Sequence, residues 1–464
     1  MILFRNATLV EFDPPRVREG QDVAVEGDRI AAVGADLPAA GAPGPSAAAA
    51  APPAAAGPPE RIIDAGGKLL FPGMVCSHTH LYSAFARGIM AEIGPMPDFV
   101  SILKQLWWRV DQAVDGDILY YSALTASLDA IRTGTTALVD HHASPNMITG
   151  SLATIRRAFE EAGIRGATCY EVTDRHGADG MRAGVEENVA FAEQLDAEAA
   201  EAAEAAGGRS AGLVAAHIGG HAPCTIPDEG LGLIADACER TGRGFHVHVA
   251  EDRWDVSHSH YHYGKDIIPR LDDYGLLDEK TLLIHGVHLG PAEVDLVNER
   301  DAFLVHNARS NMNNGVGYNR NLPRVRNLAL GTDGIGADMF TETRTAFFKH
   351  RDDGGPWGPD GFLAALAAGN GVLERSFGRP FGRLEPGYAA DLVLADYPSP
   401  TPLTGENLAG HLAFAMGPDI VETVMIGGRL VMEDRRFTRD VAPIYAEARG
   451  QARRLWERVD EIEA

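Results

Sequence analysis

Two imidazoles stand one residue apart at the end of an apolar run, in FPGMVCSHTHL (Phe71–Leu81): His78 and His80. Successive side chains of a strand point to opposite faces, so residues two apart share a side and both rings can project together from a strand end. Taken alone, the pair is better explained by hydrogen-bonded core or rim histidines. Other apolar runs end in the same kind of chemistry. HVHVAED repeats the spacing with His246 and His248 and adds Glu251 three residues on, LLIHGVH carries His285 and His288, and LALGTDG reaches Asp333 between glycines that allow close approach. Imidazole and carboxylate donors without a thiolate suit a Zn²⁺ or Fe²⁺ centre with an open coordination position, which is the catalytic arrangement.

The elements that would position these groups recur from Phe71 to Gly371. Short Val/Leu/Ile/Ala-rich runs (MVCSHTH, TTALVDHH, GIRGATCYE, GLVAAHIGGHAP, GFHVHVAED, KTLLIHGVH, DAFLVHNARSN and RNLALGTDG) alternate with longer amphipathic stretches, and most end in His, Asp or Glu. Strands alternating with helices imply parallel βα units. The expectation is an α/β protein whose residues 71–371 form a (β/α)₈ TIM barrel with its reactive groups at the C-terminal strand ends. Short alternating zones with glycine turns bracket this region: ILFRNATLV, DVAVEGDRIAAVG and RIIDAGGKLL in front, GRLEPGYAADLVLADYP and VETVMIGGRLVMEDRRF behind. Residues 1–70 and 372–464 are therefore expected to form one small β-sandwich domain from both chain ends, with a C-terminal helix. The Pro/Ala-rich segment 36–60 reads as a flexible loop, and LDAEAAEAAEAAGG (Leu195–Gly208) as the exposed part of a helix closed by glycine.

Composition narrows the partners. The chain has 464 residues and a net charge of −24, which should repel nucleic acid and anionic membranes. No run is long enough to span a bilayer, and MILFRNATLVEF lacks the basic start and cleavage site of a signal peptide, so a cytoplasmic protein is expected. Cys76, Cys169, Cys224 and Cys238 are scattered, which suggests neither a disulfide framework nor a thiolate zinc site. HSHYHYG (His258–Gly264) reads as an exposed loop or helix start. The HExxH, P-loop and H-x-E/P-C-x-x-C signatures are absent.

PGMVCSHTHL, HVHVAED, IHGVHL and LGTDG, in that order, resemble the amidohydrolase superfamily. Within it they resemble the branch of purine-type deaminases, S-adenosylhomocysteine deaminases and triazine hydrolases. ALVDHHASPN, HAPCT and SNMNNGVGYN bring the chain nearest to SsnA-type aminohydrolases. The resemblance covers nearly the whole chain, including GRLEPGYAADLVLAD, and leaves out the Pro/Ala-rich loop. It implies His78, His80, His248 and Asp333 as metal ligands, Glu251 as the catalytic acid/base, and His285 as the residue that holds the water or substrate. Asp333 would also take a proton. His246 and His288 match no functional position, so packed or hydrogen-bonded structural roles are expected for both.

Two-metal relatives bridge their ions with a carboxylated lysine, and no lysine lies between Lys104 and Lys265. One divalent metal ion per chain is therefore expected, zinc first and iron as the alternative. On the substrate side the resemblance points to His221. His306, Arg309 and Asn311 lie together at another strand end, and of His141 and His142 at most one is expected to face the pocket, with His142 the candidate. Arg309 could pair with a carboxylate or carbonyl-rich heterocycle, and it stands where many relatives carry proline. The implied activity is a metal-dependent hydrolytic deaminase (aminohydrolase) acting on a purine-like or other N-heterocyclic small molecule. Hydroxide attacks a ring carbon, Glu251 protonates the ring nitrogen, His285 steadies the developing charge, and ammonia leaves. Ring-opening hydrolysis of a cyclic amide, as in purine breakdown, is the alternative for the same ligand set. A catalytically inactive metal-binding relative ranks behind both, because four ligands, Glu251 and His285 are all retained. A homodimer is expected by analogy.

Overall fold

Alternating apolar residues at the start of the chain build long antiparallel strands. β1 (Ile2–Phe12) pairs with β2 (Pro15–Glu26), and β2 pairs with β3 (Arg29–Gly34) across a turn in which Gly27 has φ 59°. β4 (Arg61–Asp64) and β5 (Leu69–Pro72) lie parallel to β1. The computed structural model describes residues 1–38, 60–206 and 212–463, so most of the segment read as a flexible loop lies outside the described residues.

Nine short strands follow: β6 (Met74–Thr79), β7 (Thr135–Asp140), β8 (Arg165–Thr168), β9 (Val214–Ala216), β10 (Ile218–Gly220), β11 (Phe245–Val249), β12 (Leu282–His285), β13 (Phe303–His306) and β14 (Leu328–Leu330). With the exception of Val214, every residue in them is buried, as expected of parallel strands covered on both faces. They form two parallel sheets, β6-β7-β8-β9 and β10-β11-β12-β13-β14, an arrangement of TIM-barrel type. Only His217 separates β9 from β10. At the other side the backbone N–H groups of Thr332 and Asp333 donate to the His78 carbonyl at 2.8 and 3.1 Å.

The chain ends with β15 (Leu392–Ala395), β16 (Val421–Ile426), β17 (Arg429–Glu433), β18 (Arg436–Phe437) and the helix Ala442–Asp460. β15 pairs with β5, so strands from both ends share one nine-stranded sheet in the order β18-β17-β16-β15-β5-β1-β2-β3, with β4 on β1. Phe4, Leu9, Val23, Leu70, Leu392 and Met425 pack on one face of it. Val10, Phe12, Leu69, Phe71 and Val393, at alternate positions, belong instead to the main core shared with the parallel strands. Arg165 on β8 ties the two regions together by donating from Nε and Nη2 to Asp391 at 2.7 and 3.0 Å in a buried, bidentate pair. The helix Pro359–Phe377 runs through residue 372, the expected start of the C-terminal part.

Two local expectations need correction or completion. HSHYHYG is neither a loop nor a helix start but the C-terminal part of the helix Arg253–Tyr263. Asp252 caps that helix by accepting from the Trp254 N–H at 2.8 Å, and Gly264 ends it in the left-handed region at φ 65°. The Glu/Ala-rich segment is the end of the 30-residue helix Gly177–Ala206, while its closing glycines lie outside the described residues.

Candidate active site

The polar groups cluster where the parallel strands end. His78 lies in β6 and His80 just beyond it, His248 lies in β11 and His285 closes β12. Glu251 follows β11 by two residues and Asp333 follows β14 by three. His285 has φ 70° and Asp333 φ 53°, in the left-handed region that side-chain-bearing residues seldom adopt. Such strain persists only where the surroundings enforce it, and it turns both side chains towards the histidines.

Asp333 Oδ1 lies 3.0 Å from His80 Nε2 and 3.6 Å from His78 Nε2, and His248 Nε2 lies 3.3 Å from His80 Nε2. His80 Nδ1 donates to the His141 carbonyl at 2.6 Å, and His248 Nδ1 donates to the His221 carbonyl at 2.7 Å. These bonds place the ring proton on Nδ1 and turn an Nε2 lone pair inwards. His78 Nε2 is buried without a hydrogen-bond partner. One donor atom each from His78, His248, His285 and Asp333 lies within 4.8 Å of the others, and His80 Nε2 adjoins both Asp333 and His248, a donor set that fits a divalent cation such as zinc. Burial holds the His78 and His248 rings well below the usual imidazole range, in the neutral form that ligates metals. Burial also disfavours charge on His80, but its hydrogen bond to the Asp333 carboxylate, together with the charges of Asp333 and Glu171, outweighs burial and raises this ring to about 10, so Nε2 gives up a proton when a cation binds. Burial alone would raise Asp333, yet the neighbouring His78 and His80 rings hold its carboxyl well below the usual range.

Beside this cluster, His285 Nδ1 donates to Asn311 Oδ1 at 2.8 Å, which leaves Nε2 facing Glu251 Oε2 at 3.4 Å and Asp333 Oδ2 at 3.9 Å. Glu251 Oε1 accepts from Asn314 Nδ2 at 3.2 Å, and burial raises its carboxyl to about 7. Ser310 Oγ donates to Asp333 Oδ2. His80, His248, Glu251, His285 and Asp333 all line one cavity, whose lining also includes Phe99, Leu103, Trp107, Trp108 and Trp254.

The residues expected to bind substrate fare unevenly. His221 lines the cavity, its Nδ1 bonded to Thr225 Oγ1 at 2.7 Å. The other four do not line it. Asn311 instead orients His285. Arg309 is turned away because its Nε donates to the buried Glu342 carboxylate and its Nη2 to the Gly336 carbonyl at 2.7 Å. His306 is buried with its ring 5.8 Å from that of Tyr318, and His142 bonds Ser144 Oγ at 2.7 Å. His141 also lies behind the cavity surface, with Nδ1 3.2 Å from Glu171 Oε1.

Sequence reasoning missed Glu171, a cavity-lining carboxylate 3.4 Å from His80 Nδ1. Its signal was present, since it ends the run GIRGATCYE. It also missed Asp111, a buried carboxylate in the cavity wall that accepts from Arg175 Nη1 at 3.2 Å. Nothing in the pattern around Asp111 marks it out from an ordinary amphipathic helix.

The amidohydrolase family profile matches residues 69–431. A 5-methylthioadenosine/S-adenosylhomocysteine deaminase of Desulforudis audaxviator is 31% identical over 413 residues, covering 86% of this chain and 90% of its own. Among solved structures, an adenosine deaminase from Xanthomonas campestris with bound zinc superposes with a TM-score of 0.77 at 24% identity, covering 98% of each chain. The zinc complex of atrazine chlorohydrolase from Arthrobacter aurescens TC1 superposes with a TM-score of 0.78 at 22% identity, covering 97% of this chain and 100% of the other.

Proposed function

Since the chain belongs to the amidohydrolase family, we propose that it is a metal-dependent hydrolytic deaminase of purine-type and related N-heterocyclic small molecules. The relative named for 5-methylthioadenosine and S-adenosylhomocysteine makes such nucleosides the first substrates to test. One observation carries the reading: an imidazole and carboxylate donor cluster shares a cavity with a carboxyl poised near neutrality and an unpartnered imidazole nitrogen.

In this reading His78, His80, His248 and Asp333 would hold one divalent ion, with zinc favoured by the nitrogen-rich donor set. The ion would supply acidity to a bound water, lowering its pKa towards about 7. Asp333 Oδ2, steadied by Ser310, takes a proton from the attacking water. Glu251 delivers a proton from Oε2 to the ring nitrogen beside the attacked carbon, and His285 Nε2 faces the oxygen being added. A C–O bond forms, the amino group takes up the proton held by Asp333, the C–N bond breaks to release ammonia, and the proton of the new hydroxyl returns to Glu251 as the carbonyl forms. The aromatic wall of Trp107, Trp108 and Phe99 suits a flat heterocycle, with His221 as its polar contact.

We read the two parallel sheets as one eight-strand (β/α)₈ barrel that counts β9 and β10 as a single strand. The isolated bridges Thr79–Asp333 and Val172–Gly220 at its two seams support this. The nine-stranded sheet is read as a small sandwich domain whose C-terminal part begins after the helix Pro359–Phe377, and the assembly as a homodimer in the cytoplasm, acting in purine breakdown. Among the described residues no helix is long and apolar enough to cross a membrane.

The test is metal content by elemental analysis on the protein and on His78→Ala, with ammonia release assayed in parallel over 5-methylthioadenosine, S-adenosylhomocysteine, aminopurines and pterins. About one metal per chain, lost in the variant, together with ammonia from one heterocycle, is the expected result. Absence of metal after reconstitution with zinc overturns the reading, and metal without ammonia replaces deamination by ring opening.

A further inference from the structure

His246 and Cys169 are wholly buried and have no part in the chemistry above. Yet they continue the metal cluster into the protein. His246 Nε2 lies 2.9 Å from His78 Nδ1, and His246 Nδ1 lies 3.6 Å from Cys169 Sγ. Cys169 Sγ in turn lies 3.8 Å from the Asp140 carbonyl oxygen. The His141 ring stacks on His246, with centroids 4.4 Å apart and planes at 21°, and limits its rotation.

One arrangement of protons satisfies this chain throughout. A carbonyl oxygen can only accept, so the Cys169 S–H points at Asp140 and leaves a sulfur lone pair towards His246. A neutral imidazole has one N–H and one lone pair. With its proton on Nδ1, His246 donates to the sulfur and presents a bare Nε2 to His78. The His78 proton then occupies Nδ1, and its Nε2, the atom nearest Asp333, carries a lone pair. The opposite tautomer of His246 would drive the His78 proton to Nε2, where it blocks metal binding.

We propose that Cys169 and His246 form a buried relay that fixes the tautomer of His78 and so holds its Nε2 ready for the divalent cation. The relay rests on the reading of His78 as a ligand. His246 and Cys169 are positioning residues, because neither reaches the cavity. Partners of this kind typically change metal affinity by about 10- to 100-fold when removed.

The test is competition for zinc: holoprotein is titrated with dipicolinate and the retained zinc measured by elemental analysis. His246→Leu fills the space but cannot accept a hydrogen bond, whereas His246→Gln offers a carbonyl oxygen at similar reach. His246→Leu should release zinc at chelator concentrations about 10- to 100-fold lower than the wild type, and His246→Gln should regain most of that difference. Cys169→Val should shift retention the same way by less, and Cys169→Ser, which keeps an acceptor, less still. Equal chelator midpoints for the wild type and His246→Leu, or equal losses in His246→Leu and His246→Gln, overturn the relay. Should His246→Leu fail to fold, a Cys169→Val midpoint equal to that of the wild type overturns it. The underlying reading fails separately, if His78→Ala retains as much zinc as the wild type.

Discussion

Replacing Glu251 by Gln removes a proton carrier and keeps the shape of the side chain. A Gln carbonyl can go on accepting from Asn314, as Glu251 Oε1 does at 3.2 Å, and its amide can face His285 Nε2, which lies 3.4 Å from Oε2. Packing is preserved, so the whole effect falls on proton transfer. A positioned acid or base contributes about 10²- to 10⁴-fold. At about 1.36 kcal/mol per decade that is roughly 2.7 to 5.4 kcal/mol of barrier. The surroundings favour the upper half of this range. Asp333, another carboxylate lining the cavity, is engaged with the proton of the attacking water and does not stand in for Glu251 at the ring nitrogen. The expected fall in kcat/KM is therefore about 10³-fold or more, carried mainly by kcat. Metal content should be unchanged, because Glu251 lies outside the donor set of His78, His80, His248 and Asp333. Initial rates of ammonia release from the preferred nucleoside, with elemental analysis of the same samples, measure both. A fall of less than about tenfold with metal retained refutes Glu251 as the proton carrier. Metal lost together with activity would make it a ligand instead.

Asn311→Leu removes the acceptor that orients His285, and should lower kcat by about 10- to 100-fold in steady-state assays with little change in zinc content. Arg309→Met leaves the Glu342 carboxylate buried and unpaired. It should cost about 3–5 kcal/mol in urea denaturation, and substrate KM should stay near the wild-type value, since Arg309 does not line the cavity. Burial raises the Asp255 carboxyl from 3.8 to about 6. Its ionised form therefore weighs against the native state, so this group's contribution to stability is full below about pH 4 and is lost as pH rises through 6. At about 1.4 kcal/mol per pH unit the loss is roughly 3 kcal/mol. Asp255→Asn should thus gain on the wild type at pH 8 relative to pH 5 in denaturation midpoints, and an equal difference at both pH values refutes the assignment.

The parallel strands were legible because burial on both faces leaves one simple trace: a short apolar run ended by a polar residue. TTALVDHH contains β7, and KTLLIHGVH contains β12. The strands of the nine-stranded sheet were legible one by one through alternation and glycine turns. Their partners were less so. β5 pairs with β15, and Leu70 lies opposite Leu394, more than 300 residues on, a contact that no local pattern encodes. The helix ending in HSHYHYG was misjudged because its cap, Asp252, lies outside the histidine-rich stretch that drew attention.

Within the site, legibility followed the strictness of the chemistry. A cation demands donors of a few residue types meeting at one point, and strand ends supply candidates at recognisable spacings, but His246 and His288 share those spacings, so choosing His78, His80, His248 and Asp333 among them rested on the family resemblance. A substrate wall demands only shape and an occasional hydrogen bond. Trp107, Trp108 and Asp111 come from the segment between β6 and β7, whose pattern is that of any amphipathic helix. Arg309 shows the converse error. It lies beside residues that do serve the site, Ser310 and Asn311, but its guanidinium meets Glu342, which lies in the helix Met339–Asp352. What an arginine recognises depends on the partner the fold delivers to it. Substrate choice should accordingly respond to changes at Trp107 or Trp108, which line the cavity but supply no donor atom, while metal binding stays the same.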